Sequence, residues 1–270
     1  MTLSLDRMEI ESAGSDPVRL AGALLRQLPE LAGRVPIDEI ALALDIVEIV
    51  EAPLEGIEGC LQTDALKSEG QIIVRAGNHP GRRRFTIAHE LGHFLNERHR
   101  PMGDHGFACT AQDMRSPIGE GIRQRQEREA NAFAIEALTP RRLLGRHLKR
   151  SADLEHALAI AERFDVSRAA AVRRCVALHE AVLAVLFTRH GEVLYLDKSE
   201  TFPRTSAWKG DAIGHLLPSA GTDRLSCMEE VRPEDWLAGR FRGAVFAQTL
   251  FQADGYAMTL LLAEPEGGER

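Results

Sequence analysis

Arg82–His99, RRRFTIAHELGHFLNERH, is the stretch on which the reading of this chain turns. Phe85, Ala88, Gly92 and Leu95 recur at helical spacing between Arg82 and Glu97, after a break at Asn78-His79-Pro80-Gly81. On such a helix His89 and His93 share one face, with Cβ atoms roughly 5–6 Å apart, a spacing that suits two ligands of one metal ion. Glu90 is rotated from His89 by about 100°, so its carboxylate reaches a water on that metal without coordinating it. A chain of this composition contains roughly 0.04 accidental matches to the pattern HExxH. The competing picture, a solvated helix whose His and Glu side chains face water, has to account for Gly92. Glycine costs helix propensity unless another element packs closely against it.

HExxH is the arrangement of zinc hydrolases, and catalytic zinc takes three protein ligands plus a water, so a third ligand is expected downstream. The best segment is Glu127–Ala134, EREANAFA. It lies in a helical pattern over Glu120–Leu138 that stops before Thr139-Pro140, because proline disfavours the α conformation of the preceding residue. Glu127 shares a face with Ala130, Asn131, Ala134 and Leu138, the small and apolar side. Glu129 points instead with Ala132, Phe133 and Glu136. Glu127 is therefore the expected third ligand and Glu129 the alternative. Asn131, four residues beyond Glu127, is placed to hydrogen-bond a ligand from behind. The expected chemistry has zinc lower the pKa of its water and polarise a carbonyl, while Glu90 moves the water's proton to the leaving amine.

Upstream, helices are expected at Asp16–Leu31 and Pro36–Leu44, and short β-branched stretches at Asp45–Val50, Ile57–Gln62 and Gln71–Arg75 read as strands. The last is expected to offer a free sheet edge on which substrate adds as a strand, through Ile72, Ile73 and Val74. Residues 100–119 read as a long loop with a helical turn near Ala111–Met114. His99 and His105 read as surface histidines, with oxyanion stabilisation as the sharper alternative. Cys109 reads as an ordinary reduced thiol, with a thiolate that blocks zinc as its alternative.

Downstream, Arg141, Arg142, Arg146, Lys149 and Arg150 form a basic run, and Leu158–Cys175, LAIAERFDVSRAAAVRRC, resembles a helix-turn-helix. Asp153, Glu155, Glu162 and Asp165 dilute the positive charge that DNA affinity requires, so a packing or substrate-docking module is expected and direct DNA binding is not. His190-Gly191 and Asp254-Gly255 each separate two apolar runs and read as hairpins. With 270 residues, 44% hydrophobic and 27% charged, the chain is neither disordered nor collagenous. A net charge of −7 demotes bulk polyanion binding. The four cysteines, Cys60, Cys109, Cys175 and Cys227, form no CxxC pair and read as reduced. The first residues carry no signal-peptide pattern, and the longest uncharged apolar run, Ala181–Phe187, is too short to span a bilayer; a cytoplasmic protein without membrane contact is expected.

RRRFTIAHELGHFLNERH followed by EREANAFAIEALTP resembles the ImmA/IrrE metallopeptidase family, with the likeness covering roughly residues 36 to 140 and weakening beyond 180. The IVEIV and QIIVRAG stretches ahead of the helix belong to it, whereas Ala137-Leu138-Thr139-Pro140 departs from the LLMP ending of many relatives. The resemblance implies a cytoplasmic Zn²⁺-dependent endopeptidase that cuts helix-turn-helix repressors of stress responses or mobile elements. It implies zinc on His89, His93 and Glu127, and a catalytic carboxylate on Glu90. The implied fold is α+β: a zincin-like metallopeptidase domain at 1–140, a helix-turn-helix-like module at 141–180, and a C-terminal antiparallel sheet domain at 181–270, similar to the GAF-like sensors of some relatives. Two rivals remain: an antirepressor that sequesters a repressor without cutting it, and a DNA-binding regulator.

Overall fold

The computed structural model describes residues 3–29, 31–101, 106–115, 119–145, 148, 152–218 and 224–267. They fold as two compact units, Met1–Leu143 with Arg163–Ser167, and Leu144–Glu162 with Arg168–Arg270. The class is α+β, as expected.

The first unit opens with α1 (Arg7–Glu11) and α2 (Pro17–Arg26). Asp6 and Asp16 start them by accepting the backbone N–H groups of Glu9 and Arg19, donors that a helix cannot satisfy internally. α1 was outside the sequence expectation, and α2 ends at Arg26 rather than Leu31. There follow α3 (Ile37–Leu42), β1 (Ile46–Ala52), β2 (Gly59–Thr63), β3 (Gly70–Arg75), α4 (Pro80–Leu95), β4 (Phe107–Cys109), α5 (Ala111–Arg115) and α6 (Ile122–Leu138). The motif helix α4 is buried along 12 of its 16 residues, so it is a central rather than a surface helix. Ile87, Leu91 and Phe94 from α4 share one core with Leu20 and Leu24 of α2, Leu61, Ile72 and Val74 of the sheet, and Phe133 and Ala134 of α6.

The strand order is β1-β3-β2-β4, with β3 parallel to β1 and antiparallel to β2, and β4 antiparallel to β2. This corrects the expectation for Ile72, Ile73 and Val74. β3 is hydrogen-bonded on both sides, Ile72 pairing with Ile49 and Leu61, and the side chains of Ile72 and Val74 are buried. A strand with both ladders filled has no donors or acceptors left for a substrate. Among the described residues the sheet's edges are β1 and β4.

After α7 (Arg141–Leu144) come α8 (Leu154–Phe164), whose residues to Glu162 belong to the second unit, and then, within that unit, α9 (Arg168–Leu178), β5 (Val182–Arg189), β6 (Glu192–Lys198), β7 (Glu229–Val231), α10 (Pro233–Trp236), β8 (Gly243–Phe251) and β9 (Tyr256–Pro265). Its sheet is antiparallel in the order β6-β5-β9-β8-β7. β5 explains its own unbroken apolar run, VLAVLF, because both faces are covered. Leu183, Val185 and Phe187 pack with Leu154 and Ala157 of α8 and Val172 and Val176 of α9. Ala184 and Leu186 pack with Phe202, Ile213 and Trp236 on the other face. Leu154 and Ala157 of α8 and Val172 and Val176 of α9, all in the helix-turn-helix-like region, are thus spent on this sheet. The β5–β6 hairpin turns on His190 and Gly191, with φ of 49° and 80°, the left-handed pair that a two-residue turn requires. Trp208 is 54% exposed, whereas Trp236 is buried. No helix among the described residues is long and apolar enough to cross a membrane.

Candidate metal centre

Three local devices hold α4 in place. Pro80 occupies its first turn, where a missing N–H costs nothing, and the His79 ring accepts from Gly81 N–H. At the other end Lys67 Nζ donates to the carbonyls of His93 (3.0 Å) and Asn96 (2.5 Å), placing a cation on the negative pole of the helix. Burial draws the pKa of Lys67 down to about 8. Midway, Gly92 lets α6 approach: a Cβ there would lie 3.0 Å from Phe133 Cδ1 and 3.3 Å from Ala130 Cα. That close packing is what the sequence required of a glycine in this helix.

The approach brings the two motifs together. His89 Nε2 and His93 Nε2 lie 3.1 Å apart, and Glu127 Oε2 is 3.2 Å from the first and 3.6 Å from the second. The hydrogen-bond network decides where the ring protons reside. Asn131 Nδ2 donates to Asp113 O at 2.9 Å, which turns Asn131 Oδ1 toward His89 Nδ1 at 3.0 Å, so Nδ1 carries the proton. His99 Nε2 donates to Glu129 Oε2 at 2.9 Å, leaving His99 Nδ1 to accept from His93 Nδ1 at 3.0 Å. Both Nε2 atoms are therefore bare lone pairs aimed at one point, alongside a carboxylate oxygen. Three buried acceptors with no donor between them repel one another unless a cation sits there, and two imidazoles with a carboxylate are the donor set of catalytic zinc. The residues fit such an ion.

Burial, with the charge of Glu127 added, pushes Glu90 well above the usual carboxylate range. Burial lowers His93 to about 3 and His99 to about 4, favouring the neutral rings that a metal requires. Glu90 Oε1 is buried without a hydrogen-bond partner. Room for that carboxylate depends on Gly59 of β2, where a Cβ would stand 2.8 Å from Oε1 and 2.4 Å from Thr86 Cγ2.

All five residues named from the two motifs, His89, Glu90, His93, Glu127 and Asn131, meet in this one place. Glu129 is drawn off by His99 and stands one hydrogen bond further out. His99 is not a surface residue: it is 1% exposed and supports His93 from behind. The signal for it was slight, since a histidine six residues past His93 has no helical relation to it once α4 ends at Leu95. His105 lies outside the described residues. Cys109 also belongs to the cluster, its Sγ 3.7 Å from His93 Nε2 and 3.8 Å from both Glu127 Oε1 and Glu90 Oε2. His89, His93, Cys109 and Glu127 offer donor atoms all within 4.8 Å of one another. The strand that delivers Cys109, only three residues long, was read as loop.

Residues 46–176 match the profile of a peptidase family, M78, described as the IrrE N-terminal-like domain. A solved structure titled "Mycobacterium tuberculosis transcriptional regulator" superposes with a TM-score of 0.55, covering 96% of this chain and 82% of its own at 14% identity. Likeness at that identity shows a shared fold. No curated protein matches the chain in sequence.

Proposed function

Because residues 46–176 form an IrrE N-terminal-like domain of peptidase family M78, we propose that the protein is a zinc-dependent endopeptidase acting on a helix-turn-helix transcriptional repressor in a stress or mobile-element response. The observation that carries the metal-dependent part is the convergence of two bare imidazole nitrogens and the Glu127 carboxylate beside the unpartnered carboxylate oxygen of Glu90. His89, His93 and Glu127 would hold Zn²⁺, which when bound lowers the pKa of its water and polarises the scissile carbonyl.

Glu90 takes the proton from the attacking water and returns it to the leaving amine. Burial, which raises Glu90 above the usual carboxylate range, strengthens it as the acceptor of the water's proton. Asn131 and His99 hold the two ligand rings by their Nδ1–H groups, keeping the Nε2 atoms turned inward. Substrate strand addition moves from β3 to β4, the edge strand whose Cys109 reaches into the cluster. The antiparallel domain at 181–270 is read as a sensor-like regulatory part. A repressor substrate requires a cytoplasmic enzyme.

The DNA-binding reading gains nothing from the helical segment, where Arg173 is tied to Asp197 at 2.5 Å and the apolar faces are buried. The antirepressor reading leaves the buried Glu90 without a purpose. The test combines metal analysis by mass spectrometry with cleavage of a purified helix-turn-helix repressor from the same genome. One zinc per chain, absent in His93→Ala, with cleavage abolished but zinc retained in Glu90→Gln, is the expected result. Zinc with no cleavage, and equal repressor binding by wild type and Glu90→Gln, would replace the peptidase with the antirepressor.

A further inference from the structure

We propose that Cys109 is a fourth protein ligand of the metal, so that the resting site is closed by its sulfur and holds no water until Cys109 is displaced. The inference rests on the reading of His89, His93 and Glu127 as ligands, and adds to it a residue outside both sequence motifs.

The argument begins with edge lengths. Metal–nitrogen bonds of about 2.05 Å and a metal–sulfur bond of about 2.3 Å at tetrahedral angles place nitrogen and oxygen donors about 3.3 Å from one another and sulfur about 3.6 Å from each of them. The four donors crowd together on that scale, all within 4.8 Å of one another. The edges among His89 Nε2, His93 Nε2 and Glu127 Oε2 are 3.1, 3.2 and 3.6 Å. Cys109 Sγ lies 3.7 Å from His93 Nε2 and 3.8 Å from Oε1, the other oxygen of the Glu127 carboxylate. An ordinary buried thiol has no need of this placement, because its single S–H can serve only one of the three acceptors around it.

The position of the sulfur also matters. Sγ stands 3.8 Å from Glu90 Oε2, on the side where a water would have to sit to hand its proton to Glu90. Sulfur and water therefore compete for one place. The backbone holds the sulfur there: Cys109 pairs with Gly59 in the β2–β4 ladder, its carbonyl accepts from Glu58 N–H at 2.8 Å, and the neighbouring Phe107 ring stacks on His93 with centroids 4.4 Å apart. Among the described residues that ladder has three residue pairs, all on one side of β4, so Cys109 is withdrawn by opening a single short ladder. Closing the site exchanges the S–H proton, released to solvent, for a sulfur–metal bond. Opening breaks that bond, returns a proton to the sulfur and admits water.

X-ray absorption at the zinc edge of the full-length, zinc-loaded wild type tests the proposal without relying on any variant. The expected spectrum contains one sulfur neighbour at about 2.3 Å among nitrogen and oxygen neighbours. Cys109→Ser should lose that sulfur, keep one zinc per chain, bind zinc at least tenfold more weakly, and cleave substrate faster than wild type. Cobalt substitution gives a second readout, with a thiolate-to-cobalt charge-transfer band present in wild type and missing in Cys109→Ser. One zinc per chain with only nitrogen and oxygen neighbours would overturn the role of Cys109 and leave the three-ligand site standing. A sulfur neighbour that persists in Cys109→Ser would assign it to another cysteine, and overturn the proposal likewise. Failure of wild type to retain zinc or cobalt at all would remove the metal reading beneath both.

Discussion

Replacing Gly92 by alanine sets two effects of known sign against each other. In an isolated helix the change stabilises by roughly 1 kcal/mol, since alanine loses less backbone freedom. In this protein the new methyl would lie 3.0 Å from Phe133 Cδ1, 3.2 Å from Phe133 Cβ and 3.3 Å from Ala130 Cα. Carbon pairs are at rest near 3.5–4.0 Å, and the Ala130 atom is backbone, so no rotamer change relieves it. α6 must withdraw by about half an ångström, and overpacking of this kind costs roughly 1–3 kcal/mol. The net expectation is a metal-free protein destabilised by ~0–2 kcal/mol. Metal affinity should suffer more. Glu127 and Asn131 ride on α6, whereas His89 and His93 ride on α4, so the same withdrawal stretches the Glu127–imidazole distances and the Asn131–His89 bond. A loss of about 10–100-fold in zinc affinity is expected, by analogy with losing an outer support of a ligand. Urea unfolding of the metal-free protein and zinc competition against a chromophoric chelator measure the two effects. A Gly92→Ala protein that is about 1 kcal/mol more stable and binds zinc unchanged would refute the claim that close helix approach builds the site.

Further outcomes follow from other contacts. Asn131→Ala and His99→Phe should each weaken zinc binding by about 10–100-fold with the fold intact, because each frees the Nδ1–H of a ligand ring; unaltered affinity in a chelator competition would count against the tautomers assigned above. Zinc at about 100 times its dissociation constant should raise unfolding stability by ~2.7 kcal/mol in wild type and leave His93→Ala unmoved. Burial alone would raise Glu58, yet Asn78, Arg82 and Arg75 together hold its pKa below 4.5. Its contribution is thus complete above pH 4.5 and is lost as pH falls through the lower folded value, so metal-free Glu58→Gln should show a shallower loss of stability below pH 4.5 than wild type. Peptide substrates N-methylated one position at a time near the scissile bond should lose cleavage at alternate positions if they add to β4, and a uniform response would exclude strand addition.

The part of the site legible in the sequence is the part that depends on local geometry. His89 and His93 meet because a helix returns to the same face every 3.6 residues, and that relation holds whatever surrounds the helix. Glu127 could be preferred to Glu129 for the same reason, since only one of them shares a face with Ala130, Asn131 and Ala134. The two hairpins were legible because His190-Gly191 and Asp254-Gly255 take left-handed backbone angles that few other residue pairs accept. The lost readings concern long-range pairing. Gln71–Arg75 has the alternation of a strand, but nothing in its residues tells that β1 and β2 flank it and leave the free edge to Phe107–Cys109. A three-residue strand shows no period at all, so a zinc-blocking Cys109 stood only as the alternative to an ordinary thiol, with nothing in the pattern to place it among His89, His93 and Glu127. His99, beyond the end of α4, found His93 and Glu129 only because the chain turns back after Leu95. Helical periodicity settles which side chains share a face; which faces and edges meet is a property of the closed fold, where burial and backbone pairing are satisfied all at once.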